Sequence, residues 1–150
     1  MVAQPPLGSF EGLEHVLPVR VYYEDTDFTG VVYHANYLRF FERGRTEFLR
    51  AIGVEHAALL ALPQPVAFAV TKLEIAYRRA ARVDDALEVR TTNHRISSAK
   101  TGARQRILRS GELVCEAQLE IVCIGLDGRP CRPPPELTVR LAPYMSPSAP

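Results

Sequence analysis

VYYEDTDFTGVVYHANYLRFFERGRTEFLRAIG, residues 21–53, joins the end of an alternating apolar segment to a long segment of helical period. From Asn36, which reads as the N-cap, apolar side chains recur at Tyr37, Leu38, Phe41, Phe48, Leu49 and Ile52, and Gly53 stands where a left-handed C′ residue belongs. Arg39, Glu42, Arg43, Glu47 and Arg50 decorate the other side. Gly44 costs such a helix about 1 kcal/mol relative to Ala. It lies inside the apolar stripe, where a missing side chain lets another backbone come close, so the stretch predicts a helix laid tightly on a sheet. Just ahead of the helix, Tyr23, Glu24, Asp25, Asp27 and His34 crowd one loop. Three carboxylates this close need donors, a cation or water to offset their repulsion, and a displaced pKa is expected among them.

Working outward, Leu17, Val19, Val21 and Tyr23 alternate with Arg20, Tyr22 and Glu24 as in a half-buried strand, which puts Tyr23 on the inward face. After the helix, HAALLALPQP is a short helical turn broken by Pro63 and Pro65. VAFAVTKLEIAY then reads as a strand whose apolar parity slips near Thr71 and Lys72, as at a β-bulge. Further strands are predicted at about 86–94, 100–109 and 112–124, with Ser110 and Gly111 turning the last pair as a hairpin. The prolines 130, 133, 134 and 135 bar a simple continuation of the sheet, and a short helix over 136–141 follows. Residues 1–14 read as a flexible leader, 15–141 as one domain and 142–150 as a flexible tail. The class is α+β: one long early helix packed on a curved antiparallel sheet.

With 18 basic against 17 acidic residues the chain has no electrostatic footprint for nucleic acid, which is dropped as a partner. Its 3 cysteines, odd in number and without CxxC spacing, suit reduced thiols in a cytosol. No signal peptide and no run of apolar residues long enough for a membrane span is visible, so a cytoplasmic protein with no membrane insertion is expected. Residues 25–30, DTDFTG, mimic the first half of an EF loop, but position twelve is Asn36 rather than a glutamate, and the histidines show no ligand spacing; neither a metal nor a cofactor is expected. A GxSxG elbow and an activated cysteine are also absent from the pattern.

The run YEDTDFTGVVYHANY, residues 23–37, followed by Arg39 and by ERGR at 42–45, closely resembles the signature of the YbgC-type acyl-CoA thioesterases, in the 4-hydroxybenzoyl-CoA thioesterase branch of the hotdog-fold superfamily. The agreement in strand order extends from about Leu17 to Ile124. The resemblance implies a hotdog fold and active sites at subunit interfaces of a homo-oligomer, a tetramer favoured over a dimer. It implies that Asp27 is the essential carboxylate, that His34 and Tyr23 take part in catalysis, and that the His34 backbone amide polarises the thioester carbonyl. Gly30, Val32, Tyr33 and Tyr37 are implied to border the substrate. In HRISSAKTGAR, residues 94–104, Arg95 and Lys100 are candidates for the nucleotide end of coenzyme A; Arg78, Arg79 and Arg82 form an alternative patch. Asp25 reads as a structural loop carboxylate. The implied substrate is an acyl thioester on coenzyme A or on another phosphopantetheine carrier. The family's link to the Tol-Pal system supplies a competing reading, a noncatalytic protein that binds acyl carriers or envelope-complex partners.

Overall fold

The computed structural model describes residues 1–147. Its strands are β1 (Ser9–Glu11), β2 (Glu14–Arg20), β3 (Val66–Tyr77), β4 (Ala86–Arg95), β5 (Lys100–Arg109), β6 (Glu112–Gly125) and β7 (Met145–Ser146). Its helices are α1 (Asn36–Ala51), α2 (His56–Leu60) and α3 (Pro135–Leu141). The strands make one sheet in the order β1-β2-β4-β5-β6-β3, with β7 added parallel to β4 and every other pair antiparallel.

The sheet wraps α1 because the helix presents a flat, side-chain-free point at Gly44. A Cβ there would lie 2.7 Å from Val89 Cγ1, closer than a real side chain tolerates, and a tight 3.1 Å from Thr91 Oγ1 and Gln105 Nε2. The gap allows the Phe41 carbonyl to accept a 2.8 Å hydrogen bond from Gln105 Nε2 across the helix–sheet contact. Phe40, Phe41 and Phe48 are fully buried. Phe40 was outside the expected stripe and Leu38, inside it, is exposed, so the buried face is rotated slightly from the periodic reading. Asn36 is the first helical residue rather than the N-cap, a position taken by Ala35. Gly53 does adopt the left-handed conformation, with φ +85°, just past the helix.

The parity slip in β3 is real: its pairing with β6 shifts register between Val70 and Lys72. Ser110 and Gly111, both with positive φ, turn β5 into β6. Within the stretch read as a leader, Ser9–Glu11 pairs with Glu14–Val16, and the Phe10 ring packs on Phe48 and Tyr144. Part of the expected tail is likewise ordered, since Met145 and Ser146 pair with Asn93 and His94; residues 148–150 lie outside the described residues. The clearest correction concerns Tyr23. The strand ends at Arg20, and Tyr23 opens a 3₁₀ turn, Tyr23–Asp25, with its side chain 87% exposed instead of inward. The Tyr22 N–H donates to Asp25 Oδ2 at 2.7 Å, and this local closure outcompetes continuation of the strand.

Candidate active site

The loop before α1 is built from two carboxylates with opposite surroundings. Asp25 is 5% exposed, and its oxygens accept from Tyr22 N–H and from Asn36 Nδ2 at 2.9 Å, while its own carbonyl accepts from Tyr33 N–H. It fastens the 3₁₀ turn to the first residue of α1. Two residues on, Asp27 is partly exposed and accepts through Oδ1 from both the Thr29 hydroxyl (2.5 Å) and the Thr29 N–H (2.8 Å). The backbone closes tightly around it: Asp27 N–H donates to Val31 O and Gly30 N–H to Asp27 O, and Gly30 takes φ +83°, a conformation that favours glycine. The Thr29 hydroxyl, then the Thr29 amide, hold the Asp27 carboxyl below its usual pKa, with a smaller pull from His34. Asp27 is therefore ionised at neutral pH and has an oxygen, Oδ2, free of any protein donor among the described residues.

His34 lies two residues before α1, exposed, its ring 4.6 Å from that of Tyr33 and 6.3 Å from that of Tyr77. Its carbonyl accepts from the Tyr77 hydroxyl at 2.9 Å, which fixes the peptide from the far end of β3. The His34 N–H has no hydrogen-bond acceptor among the described residues. An unpaired donor beside a helix N-terminus is what a carbonyl that develops negative charge requires, and the His34 imidazole is within electrostatic range of the ionised Asp27. Sequence reasoning missed Tyr77, which read as one more apolar position at the end of a strand.

The other candidates separate. Val32 and Tyr37 are buried in the core: Val32 N–H donates to Ala81 O, and the Tyr37 hydroxyl accepts from Ala81 N–H at 3.2 Å. Tyr33 and Gly30 are on the surface of the loop. Tyr23 is 87% exposed, and its side chain has no hydrogen bond or ring contact with Asp27 or His34 among the described residues. Arg95 and Lys100 flank the β4–β5 hairpin, whereas the loop abuts the start of β4 through Val31, Val32, Ala81 and Arg82. The length of β4 puts the two ends roughly 30 Å apart at ordinary strand rise, so one chain does not bring these basic residues to Asp27. Lys100 Nζ is paired with Glu120 at 3.0 Å. The Cys115 and Cys123 thiols, pushed up to about 12 chiefly by burial, are not nucleophiles at neutral pH. Among the described residues no three His, Cys, Asp or Glu side chains gather as a metal-binding set.

A thioesterase-like superfamily model matches residues 21–141, most of the chain and all of this loop. The chain belongs to that family. The acyl-CoA thioesterase YbgC of Haemophilus influenzae is 46% identical over 109 residues, which cover 73% of this chain and 79% of the relative. A probable thioesterase of Bartonella henselae superposes with a TM-score of 0.78 at 41% identity, over 81% of this chain and 99% of that one. A 1,4-dihydroxy-2-naphthoyl-CoA thioesterase from Synechocystis shares the fold, with a TM-score of 0.78 at 22% identity over 86% of this chain and 96% of its own. The sheet curled on α1 is thus the hotdog fold of the thioesterases, and the loop between β2 and α1 is a family feature as well as a local one. No helix among the described residues is long and apolar enough to cross a membrane.

Proposed function

We propose that the protein hydrolyses acyl-CoA thioesters, with Asp27 as the reacting carboxylate and the His34 N–H as oxyanion donor. The observation that carries this is the pairing of an ionised, partly exposed Asp27 with an unpaired amide at the start of α1. The thioester oxygen accepts from the His34 N–H as charge builds on it, and the helix end adds positive potential. Asp27 Oδ2 then either attacks the carbonyl carbon, to give an anhydride that water opens, or takes a proton from a water that attacks. In both routes the C–S bond breaks and the thiol leaves with a proton; under base catalysis the water oxygen goes to the released carboxylate, whereas water that opens the anhydride at the Asp27 carbonyl leaves its oxygen on Asp27 and the former aspartyl oxygen in the product. The imidazole of His34 biases Asp27 electrostatically and stands ready to carry that proton. Tyr23 has the least support in this chemistry, being exposed and without a hydrogen bond to Asp27 or His34 among the described residues.

The outer edge of β3 is unpaired among the described residues and exposes Val70, Leu73 and Tyr77. A second copy placed there would satisfy the edge, and a homo-oligomer, dimer or tetramer, is the working form we assign. Arg95 and Lys100 would then serve a neighbour's coenzyme A phosphates rather than those bound at their own Asp27. Light scattering that found only monomer at micromolar concentration would sink this. For the reaction itself, thiol release from a panel of acyl-CoA esters and acyl-carrier thioesters is the test: turnover is expected, and none on any member would favour the noncatalytic, envelope-associated reading. Single turnover in isotope-labelled water, read as the mass of Asp27, separates attack from base catalysis.

A further inference from the structure

Away from the loop, a cavity of about 340 Å³ opens between the middle of α1, α3 and the strands, within the range of about 300–1,000 Å³ usual for small-molecule sites. None of residues 21–37 lines it. Its apolar lining includes Leu49, Phe68, Ile121 and Leu137, and its polar lining includes Arg45 from the helix and Asn93 from the sheet.

Arg45 is held in place. Gln105 is fully buried, and its Nε2 donates to the Phe41 carbonyl, which can only accept, and to Thr91 Oγ1. Its Oε1 is thereby turned to Arg45 and accepts from Nη1 at 2.9 Å. That is one hydrogen bond for a guanidinium with five donors. No carboxylate lies within 4.0 Å of Arg45 among the described residues, and burial works against its charge while Glu42, more distant, supports it. Asn93 follows Leu87, Val89 and Thr91 on the helix-facing side of β4; it is 9% exposed, and its carboxamide has no hydrogen-bond partner among the described residues. A preset, half-buried cation and an amide with no protein partner, both on the lining of one cavity, leave hydrogen-bonding capacity that a ligand there can take up. The other charged or titratable groups on the cavity are Glu42, Arg95, His56 and the Cys123 thiol, which burial keeps protonated, so the two arginines outnumber the one carboxylate.

We infer that this cavity binds a carboxylate on an apolar stem, with Arg45 taking the carboxylate, Asn93 donating to it, and the wall of Leu49, Phe68, Ile121 and Leu137 covering the stem. The inference concerns binding and stands apart from the assignment of Asp27. Such a carboxylate has two sources under the proposed reaction, the freed acid product or the far end of a dicarboxylic acyl group.

The test is calorimetric titration of the full-length protein with octanoate and with octanamide, which share a stem and differ in charge. Octanoate is expected to bind about tenfold or more tightly than octanamide, as suits a charge-assisted pair. Arg45→Gln should erase the difference, and Asn93→Ala should weaken octanoate while leaving octanamide little changed. Equal binding of the two ligands by the unmodified protein, or no binding of either, overturns the proposal without recourse to any variant. An Arg45→Gln protein that is folded by its melting curve and still prefers octanoate overturns the role of Arg45. Titrating Asp27→Asn, which should bind octanoate as the parent does, keeps this outcome separate from the fate of the thioesterase reading. If relief of octanoate inhibition accompanies Arg45→Gln with KM unchanged, the site reads the product; if KM rises for adipyl-CoA but not octanoyl-CoA, it reads the acyl terminus.

Discussion

Asp25 and Asp27 are two residues apart in one loop, and the structure gives them opposite surroundings. Asp25 is drawn inward, both oxygens engaged by groups that belong to the fold, the Tyr22 amide and the Asn36 side chain. Asp27 is turned outward and engaged on one oxygen by its own neighbour, Thr29, which leaves the other oxygen for chemistry. The lesson is that proximity in sequence does not make a carboxylate cluster a shared site. Each charge is assigned by the donors that reach it: the inner one anchors the helix start, and the outer one is held only by Thr29.

The sharpest way to break this division is Asp27→Asn. Amide keeps the size and accepts from Thr29 through its oxygen, but it cannot attack or take a proton, so thioester hydrolysis should fall by at least about a hundredfold, the low end for a positioned acid–base group. Melting temperature should be close to that of the parent, because no element of the fold hangs on this side chain. Near-parental turnover in a folded variant, with deamidation excluded by mass, would remove Asp27 from the mechanism. Asp25→Ala should do the reverse. Loss of two hydrogen bonds to a buried carboxylate is expected to cost about 2 kcal/mol, read as a lower denaturation midpoint, with activity following the folded fraction. If Asp25→Ala leaves stability untouched and abolishes turnover, the two roles are exchanged.

How much of this was legible beforehand follows the same division. The helix, its contact at Gly44 and the slip in β3 are periodic or local features, and hydrophobic period and glycine placement carry them. The fate of Tyr23 was not legible, because alternation continues through Tyr22 and Tyr23 while a side-chain bond from Asp25, two to three residues on, closes a turn. Asn36 was read as a cap for a related reason: residue type favours that position, but its amide is taken by Asp25, eleven residues earlier, a contact no local window contains. The loop motif pointed to the candidate site through resemblance. Tyr77, which holds the His34 peptide, and Gln105, which aims Arg45, carry no signal in their own neighbourhoods, since each acts through a contact far along the chain.

His34→Ala sharpens the comparison on the helix side. The backbone N–H that is proposed to polarise the carbonyl survives this substitution, so the loss should be about tenfold, less than at Asp27. A loss equal to that of Asp27→Asn would mean that the imidazole, not the amide, does the main work.

The smallest expected effect is a shift in pH profile. The Thr29 hydroxyl is the first cause of the lowered Asp27 pKa, ahead of the Thr29 amide and His34. In the proposed mechanism the reacting form is the carboxylate, so activity should fall as pH falls through the pKa of Asp27, and in the parent that fall should lie below the usual carboxylate range. Thr29→Val removes the hydroxyl and keeps the amide bond. The pKa then moves up, and the acidic limb of kcat/KM should move to higher pH, while the rate near neutrality changes little because Asp27 is ionised there in either protein. Thr29→Ser, which keeps a hydroxyl, should restore the parental limb, and this rescue distinguishes tuning of Asp27 from a general distortion of the loop. Asp25 offers the internal control: neither Thr29 variant touches its partners, so the denaturation midpoint should be unchanged in both. An acidic limb that stays in place in Thr29→Val would show that some other ionisation sets the rate, and that the outward half of the loop is not tuned by its own threonine.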